Sequence, residues 1–354
     1  MWIAHINKTL SAEGTNSKNR GHWDRVLTRN KVTLSRGAHR VNATNVAGLW
    51  RELPNVTAPS AQLLNRPVTY VEVMDTLHRL APNKAPGRSG VTINLLRTAL
   101  ASRDNEHGYI ECPLGVLIFT LVRDMLSYSH VPFDQRIAHL VLILKKKGDA
   151  TQVGDYRGIS LLESVLKLAT ALVARRLSTA LEDCRLLDRA QGGFRPGEEA
   201  ISQVVALHEL CCRQRDKQAG PSHVLISFLD YKAAFDRVGH EALFKKLELV
   251  GCSGMAVNFL RAVYSSSLVS IALPSSTSKP IAQQRGVKQG DPASPVLFNV
   301  FINDLVASAP LIRRGSPWGA KLFRRCFLPT TWLCWLKTPP TWRPSYGTLK
   351  AGQG

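Results

Sequence analysis

The sequence predicts an α+β fold, a sheet backed by helices on one face. From 222 to 306 the hydrophobic pattern runs strand, helices, strand, strand, helix, which suits such a layer. Apolar residues make up 44% of the 354, enough to bury a sizeable core in one large or two medium domains. Capping signals then fix where several helices begin.

Taken in order, residues 1–60 are polar and basic with weak periodicity, and read as a partly ordered extension. Thr69-x-x-Glu72 fits a capping box, with Val73, Met74, Leu77 and Leu80 following on one helix face. Asn83 to Gly90 is a loop of breakers, and a helix covers about 114–128. Ala138 to Leu144 reads as a strand ending in Lys145-Lys146-Lys147-Gly148. Ser160-x-x-Glu163 fits a second capping box, opening an amphipathic helix through Leu181 whose Lys167, Arg175 and Arg176 form a solvated face. A further helix fits 199–215, and Val224 to Leu229 is a strand of buried type. Helices fit 241–249 and 254–264, with Gly251 as a stop between them. Leu268 to Leu273 and Ile281 to Val287 read as paired strands, and Val296 to Val306 as a helix.

The formal net charge of +20 favours a polyanionic partner, nucleic acid first, through counterion release at phosphates. Seven cysteines, an odd number without any C-x-x-C pair, indicate neither a disulfide framework nor a zinc site, and point to a reducing, intracellular setting of cytoplasm or nucleus. The start shows no signal peptide, and the longest apolar stretch, 113–122, is too short to span a bilayer. A soluble protein is expected.

Three features carry chemistry. Phe228-Leu229-Asp230 places a carboxylate at the end of a hydrophobic strand, where it must be solvated, paired or metal-bound. Two-metal phosphoryl transfer needs such an oxygen ligand, so Asp230 is the first candidate; a plain strand-end Asp capping a turn is the alternative. Arg285-Gly286-Val287-Lys288-Gln289-Gly290-Asp291-Pro292 is a glycine-flanked polar loop in which Asp291 caps the next helix and Gln289 offers donors and acceptors to a nucleotide. In Asp155-Tyr156-Arg157-Gly158, Arg157 can fork onto phosphate, with Lys147 or a neighbour as a point charge.

In order along the chain, these blocks resemble the reverse transcriptase domain of non-LTR (LINE-type) retrotransposons. The resemblance runs from about 130 to 306. It rests on Lys145 to Asp149 with Tyr156 to Leu162, Gln191-Gly192-Gly193-Phe194-Arg195, Phe228 to Asp236, and Arg285 to Pro292 followed by Ser294-Pro295 and Leu297-Phe298-Asn299. Asn83 to Gly90 resembles an upstream loop of the family, with Ser89 where Asp is usual.

The resemblance implies a right-hand polymerase, RNA-templated DNA synthesis on an RNA template and DNA primer, dNTPs as substrates, and Mg²⁺ or Mn²⁺. Residues 130–320 would be fingers and palm with an antiparallel palm sheet, 61–129 a helical region leading into the fingers, and 321–354 an aberrant, disordered Trp-rich tail, with the thumb absent. Asp230 would bind both metals, helped by the Tyr231 carbonyl. Lys147 and Arg157 would hold the triphosphate, and Gln289 and Gly290 would line the dNTP pocket. Phe235 would stand as the gate against a ribose 2′-hydroxyl, or serve simply as core.

The family's later [F/Y]-A-D-D hairpin does not occur, and no Asp or Glu follows Asp304. A frame-shifted or wrongly spliced end is the expected reason, with a novel basic, aromatic nucleic-acid-binding tail as the other reading. The last base of each codon joined to the first two of the next permits Ala at Leu328-Pro329, and Asp at both Pro329-Thr330 and Thr330-Thr331. It requires Ala or Val at Trp332-Leu333 and Leu at Cys334-Trp335. The chain is therefore expected to be catalytically incomplete. Its alternatives are a non-catalytic nucleic-acid-binding protein derived from a polymerase, or a decayed gene product.

Overall fold

A computed structural model describes residues 58–101, 112–146, 148–188, 191–198, 200–215, 224–231, 233–273, 276–304, 322–328 and 331–337. The polar extension before residue 58, and Lys147, lie outside these. The chain divides into two compact units, one from Met1–Asp188 and Lys232–Ala307, the other from Arg189–Tyr231 and Ser308–Gly354. No helix among the described residues is long and apolar enough to cross a membrane.

Among the described residues, the first unit opens with four helices: α1 (Ala58–Asn65), α2 (Tyr70–Arg79), α3 (Ile93–Ala101) and α4 (Pro113–Ser127). Thr69 starts α2 as expected, its hydroxyl accepting from the Glu72 amide at 3.3 Å. Only half of the capping box forms, because the Glu72 carboxylate turns instead to Arg66 and Arg176. A single turn, α5 (Phe133–Arg136), leads into β1 (Ile137–Leu144), which forms a hairpin with β2 (Tyr156–Leu161).

The long helix α6 (Ser164–Asp183) is the centre of the core. Leu166, Leu168, Ala169, Leu172, Val173 and Leu177 are all buried. Two expectations fail here. Arg176 does not belong to a solvated face; it is 2% exposed and makes a salt bridge to Glu72 at 2.6 Å. Ser160 does not cap the helix either. It lies within β2 opposite Leu140, and the helix starts after Glu163, whose carboxylate accepts from the Ser89 amide at 3.0 Å and from the Ser89 hydroxyl. The ladder of β2 thus outcompetes the local cap, and a contact distant in sequence takes the glutamate.

After α8 (His240–Leu249) and α9 (Met255–Ser265) come β4 (Leu268–Leu273), β5 (Ser276–Thr277) and β6 (Ile281–Ala282), then α10 (Ser294–Ile302). The strand expected over 281–287 pairs only at its start, since Gly286 adopts φ +89° and turns the chain. This sheet runs β2-β1-β4-β5, with β6 also on β4. It is mixed, not antiparallel as expected: β1 and β4 are parallel from Ile137↔Leu268 to Leu140↔Ile271. A parallel pair needs a crossover, here made of helices, which periodicity along either strand cannot disclose.

The second unit contains α7 (Ala200–Arg215) and an antiparallel sheet in the order β3 (Val224–Asp230), β8 (Thr331–Lys337), β7 (Leu322–Leu328). Two of these strands come from the stretch that the sequence alone reads as an aberrant tail.

Candidate nucleotide loop and metal-binding strand

The loop 285–291 is laid along 235–238 by its backbone. Gly286 N–H donates to the Val238 carbonyl at 2.8 Å, and Val287 N–H to that of Phe235 at 2.9 Å. A Cβ on Gly286 would stand 3.0 Å from Asp236 Cα, so only glycine lets the two segments approach this closely. The His240 ring hydrogen-bonds the Gly286 carbonyl through Nε2 at 2.8 Å, and burial pulls its pKa below the usual histidine range, favouring the neutral, donating ring.

The far end of the loop meets β2. Ser160 N–H donates to the Gln289 carbonyl at 2.7 Å. Gly290, at φ +117°, lies so near that a Cβ there would be 2.6 Å from the Ser160 carbonyl oxygen. Arg157 stands on the same strand with an exposed side chain. The strand bearing Arg157 and the loop bearing Gln289 and Gly290 are therefore fastened backbone to backbone. Phe235 joins them from the other side, half-buried and stacked on Phe298 at 4.8 Å between ring centroids and an interplanar angle of 11°. Lys145, an alternative to Lys147, donates to the Gly154 carbonyl at 2.7 Å and so braces its own hairpin.

Beneath the loop lie two charges that sequence reasoning gave no buried role. Lys288 is 1% exposed and Asp291 3%. Asp291 Oδ1 accepts from the Ala293 amide at 3.0 Å, close to the expected cap, but Oδ2 and Lys288 Nζ have no hydrogen-bond partner among the described residues. Burial drives Lys288 down to about 8 against the opposing pull of Asp291, and drives Asp291 upward against the Ala293 amide. Asp236 is also raised by burial, with Arg285, Arg237 and Lys145 opposing. No sequence signal marked these groups, since a charged residue beside Gln289 and Gly290 looks like a surface loop.

Asp230 and Tyr231 fall in the second unit, where Asp230 closes β3 in register with Thr331 of β8. A pair of divalent ions requires several oxygen ligands, chiefly carboxylates. The adjoining strands, LFRRCFL and TWLCWLK, carry none, and no cluster of three or more His, Cys, Asp or Glu occurs among the described residues. The described residues adjoining Asp230 do not fit a two-ion centre.

Residues 143–313 match the family described as reverse transcriptase (RNA-dependent DNA polymerase). Similar proteins include the transposon TX1 uncharacterized 149 kDa protein of Xenopus laevis, 28% identical over 72% of this chain and 18% of its own length. The Pol polyprotein from type-1 retrotransposable element R2 of Popillia japonica is 28% identical over 69% of this chain and 31% of its own. The RNA-directed DNA polymerase from mobile element jockey of Drosophila funebris is 29% identical over 68% and 24%. The chain spans less than a third of the length of these relatives. The matched segment, with its mixed sheet, is a reverse transcriptase domain. The relatives that it resembles are proteins of transposons and non-LTR retrotransposons.

Proposed function

We propose that the chain supplies the fingers and palm of an RNA-directed DNA polymerase, holding an RNA template, a DNA primer and an incoming dNTP, and that as written it binds them without extending the primer. The observation that carries the binding half is the fastening of β2 to the loop through Ser160, Gln289 and Gly290. It sets the exposed Arg157 and the Gln289 side chain on adjoining backbone, the arrangement that a fork onto a triphosphate and a contact to the nucleotide require. Phe235 stands against the same loop. In the family a divalent ion, Mg²⁺ or Mn²⁺, supplies charge neutralisation for phosphoryl transfer; among the described residues, the carboxylates adjoining Asp230 are too few to hold a pair.

Primer extension and binding, measured on one preparation, test this. Arg157→Ala should weaken binding of a fluorescent dNTP about tenfold in the presence of primer–template, on the order of a lost charge-assisted bond. Extension by the parent chain should not exceed that of Asp230→Ala. Extension well above that control would overturn the catalytic half, and unchanged dNTP binding in Arg157→Ala would overturn the binding half. A non-catalytic nucleic-acid binder is the second reading, favoured by the missing carboxylates. It would show salt-dependent RNA binding, weakened by Arg157→Ala, with no dNTP binding.

A further inference from the structure

Helix α7 carries chemistry that the polymerase reading does not use. An α-helix turns about 100° per residue, so Ile201, Val204, Val205, His208 and Cys212 fall within an arc of about 100°. Gln203, on the opposite side, is buried and donates to the Glu198 carboxylate at 3.1 Å. The stripe itself faces solvent. Ile201, Val204 and Val205 are 59%, 58% and 59% exposed, and His208 is exposed beside them. Three adjoining aliphatics in water are the mark of a helix face made to be covered.

The stripe ends in two metal donors. Cys212 Sγ lies 3.8 Å from Nδ1 and from Nε2 of His208, one turn earlier. Bonds of about 2.3 Å to sulfur and 2.0–2.1 Å to nitrogen, set at a tetrahedral angle, place two ligands of one Zn²⁺ roughly 3.6 Å apart. The pair therefore has nearly the spacing of half a zinc site. Thiolate with imidazole suits Zn²⁺ and not the oxygen-seeking Mg²⁺. A closed zinc site takes four ligands. No group of three or more His, Cys, Asp or Glu that could hold a metal occurs among the described residues, so within them one chain supplies only two.

We propose that α7 pairs in parallel with α7 of a second copy about a two-fold axis, and that His208 and Cys212 of both copies close one tetrahedral Zn²⁺ site. Parallel pairing sets Ile201, Val204 and Val205 against their counterparts and brings the two donor pairs to one level, whereas an antiparallel crossing at the donors carries the two stripes apart. Three aliphatic side chains from each copy bury far less than the roughly 1,200–2,000 Å² of a stable interface, so the metal decides association. Each Cys212 thiol releases its proton to solvent as its sulfur bonds the ion. The inference is independent of nucleotide and nucleic-acid binding.

The test uses the full chain, freed of metal with EDTA and then titrated with Zn²⁺, or with Co²⁺ as a coloured stand-in. Sedimentation should show a monomer in EDTA and a dimer holding one Zn²⁺ per two chains. Co²⁺ should give the visible absorption of a tetrahedral thiolate site. His208→Ala and Cys212→Ser should each lower Zn²⁺ affinity about tenfold or more, on the order of a lost ligand, and remove the dimer. Val205→Lys sets like charges against each other and should remove the dimer without touching a ligand. Zn²⁺ affinity unchanged in Cys212→Ser, a one-to-one complex that stays monomeric, a dimer that persists in EDTA, or dimerisation unaffected by Val205→Lys overturns the proposal. Should a variant fail to fold, the parent answers alone. Zn²⁺ should protect Cys212 from iodoacetamide on peptide mapping, and equal alkylation with and without Zn²⁺ overturns the site.

Discussion

Arg176 at the heart of α6 and Lys288 beneath the 285–291 loop are both buried cations facing one buried or half-buried acid, yet the two regions resolve that cost differently. Arg176 directs its fork to both Glu72 oxygens, at 2.8 and 2.6 Å, and to the carbonyls of Leu64, Arg66 and Pro67. The turn between α1 and α2 is thereby tied to α6. Burial alone would raise Glu72, but Arg176 and Arg66 outweigh it and hold the carboxyl below its usual range. Lys288 has no such bonds, so burial prevails and both it and Asp291 shift toward their neutral forms. A planar fork can saturate a buried site, whereas an ammonium at the end of a flexible stem cannot do so without suitably placed acceptors. The first region is built as a fixed strut, and the second keeps an ionisable group with a pKa of about 8 under the 285–291 loop.

Removing the fork should have the largest effect. Arg176→Met leaves Glu72 with only the exposed Arg66 and strips the Leu64, Arg66 and Pro67 carbonyls of their donor, and should cost about 3–5 kcal/mol by urea denaturation. A loss no greater than that of a surface substitution would break the contrast. Next comes pH. Lys288 holds its proton to about 8 in the folded protein, against an ordinary 10.5. Below pH 8 it is charged in both states and folding bears the full cost. Between 8 and 10.5 the unfolded chain binds more protons than the folded one, so stability rises with pH. The stability of the parent relative to Lys288→Met should improve by up to roughly 3 kcal/mol from pH 7 to 10.5. Asp291, raised in the fold by burial, acts with the opposite sign.

Gly290→Ala probes the loop's backbone instead of its charge. It forces a Cβ toward the Ser160 carbonyl at φ +117° and should cost about 2 kcal/mol, with weaker dNTP binding at 25 °C. Thr69→Ala should have the smallest effect, about 1 kcal/mol, because it removes the α2 cap and leaves the Glu72–Arg176 pair whole. A loss as large as that of Arg176→Met would show that cap and strut are one unit.

What the sequence disclosed was local. The Thr69 cap, the stop at Gly251 and the strand ending at Asp230 all depend on residues within a few positions of one another. The reading missed what depends on distant partners. Ser160 and Glu163 have the spacing of a capping box, but β1 claims the serine and Ser89 the glutamate. Arg176 has the spacing of a polar face, but its acceptors lie more than 100 residues away. For the candidate site, the residue types of the loop and of β2 were legible, while their fastening through Ser160, and the burial of Lys288 and Asp291, were not.

The parallel pairing of β1 with β4 also has a consequence in time. Their partners lie roughly 130 residues apart. A ribosome adding about 5–20 residues per second leaves one flank of β1 open for on the order of ten seconds. The β2 hairpin can cover the opposite flank almost at once, because its turn is local. During that interval the open flank can accept strands from other chains. Synthesis rate and chaperone supply, more than equilibrium stability, should then set the yield of folded protein, and slowing translation after residue 273 should matter less than slowing it before.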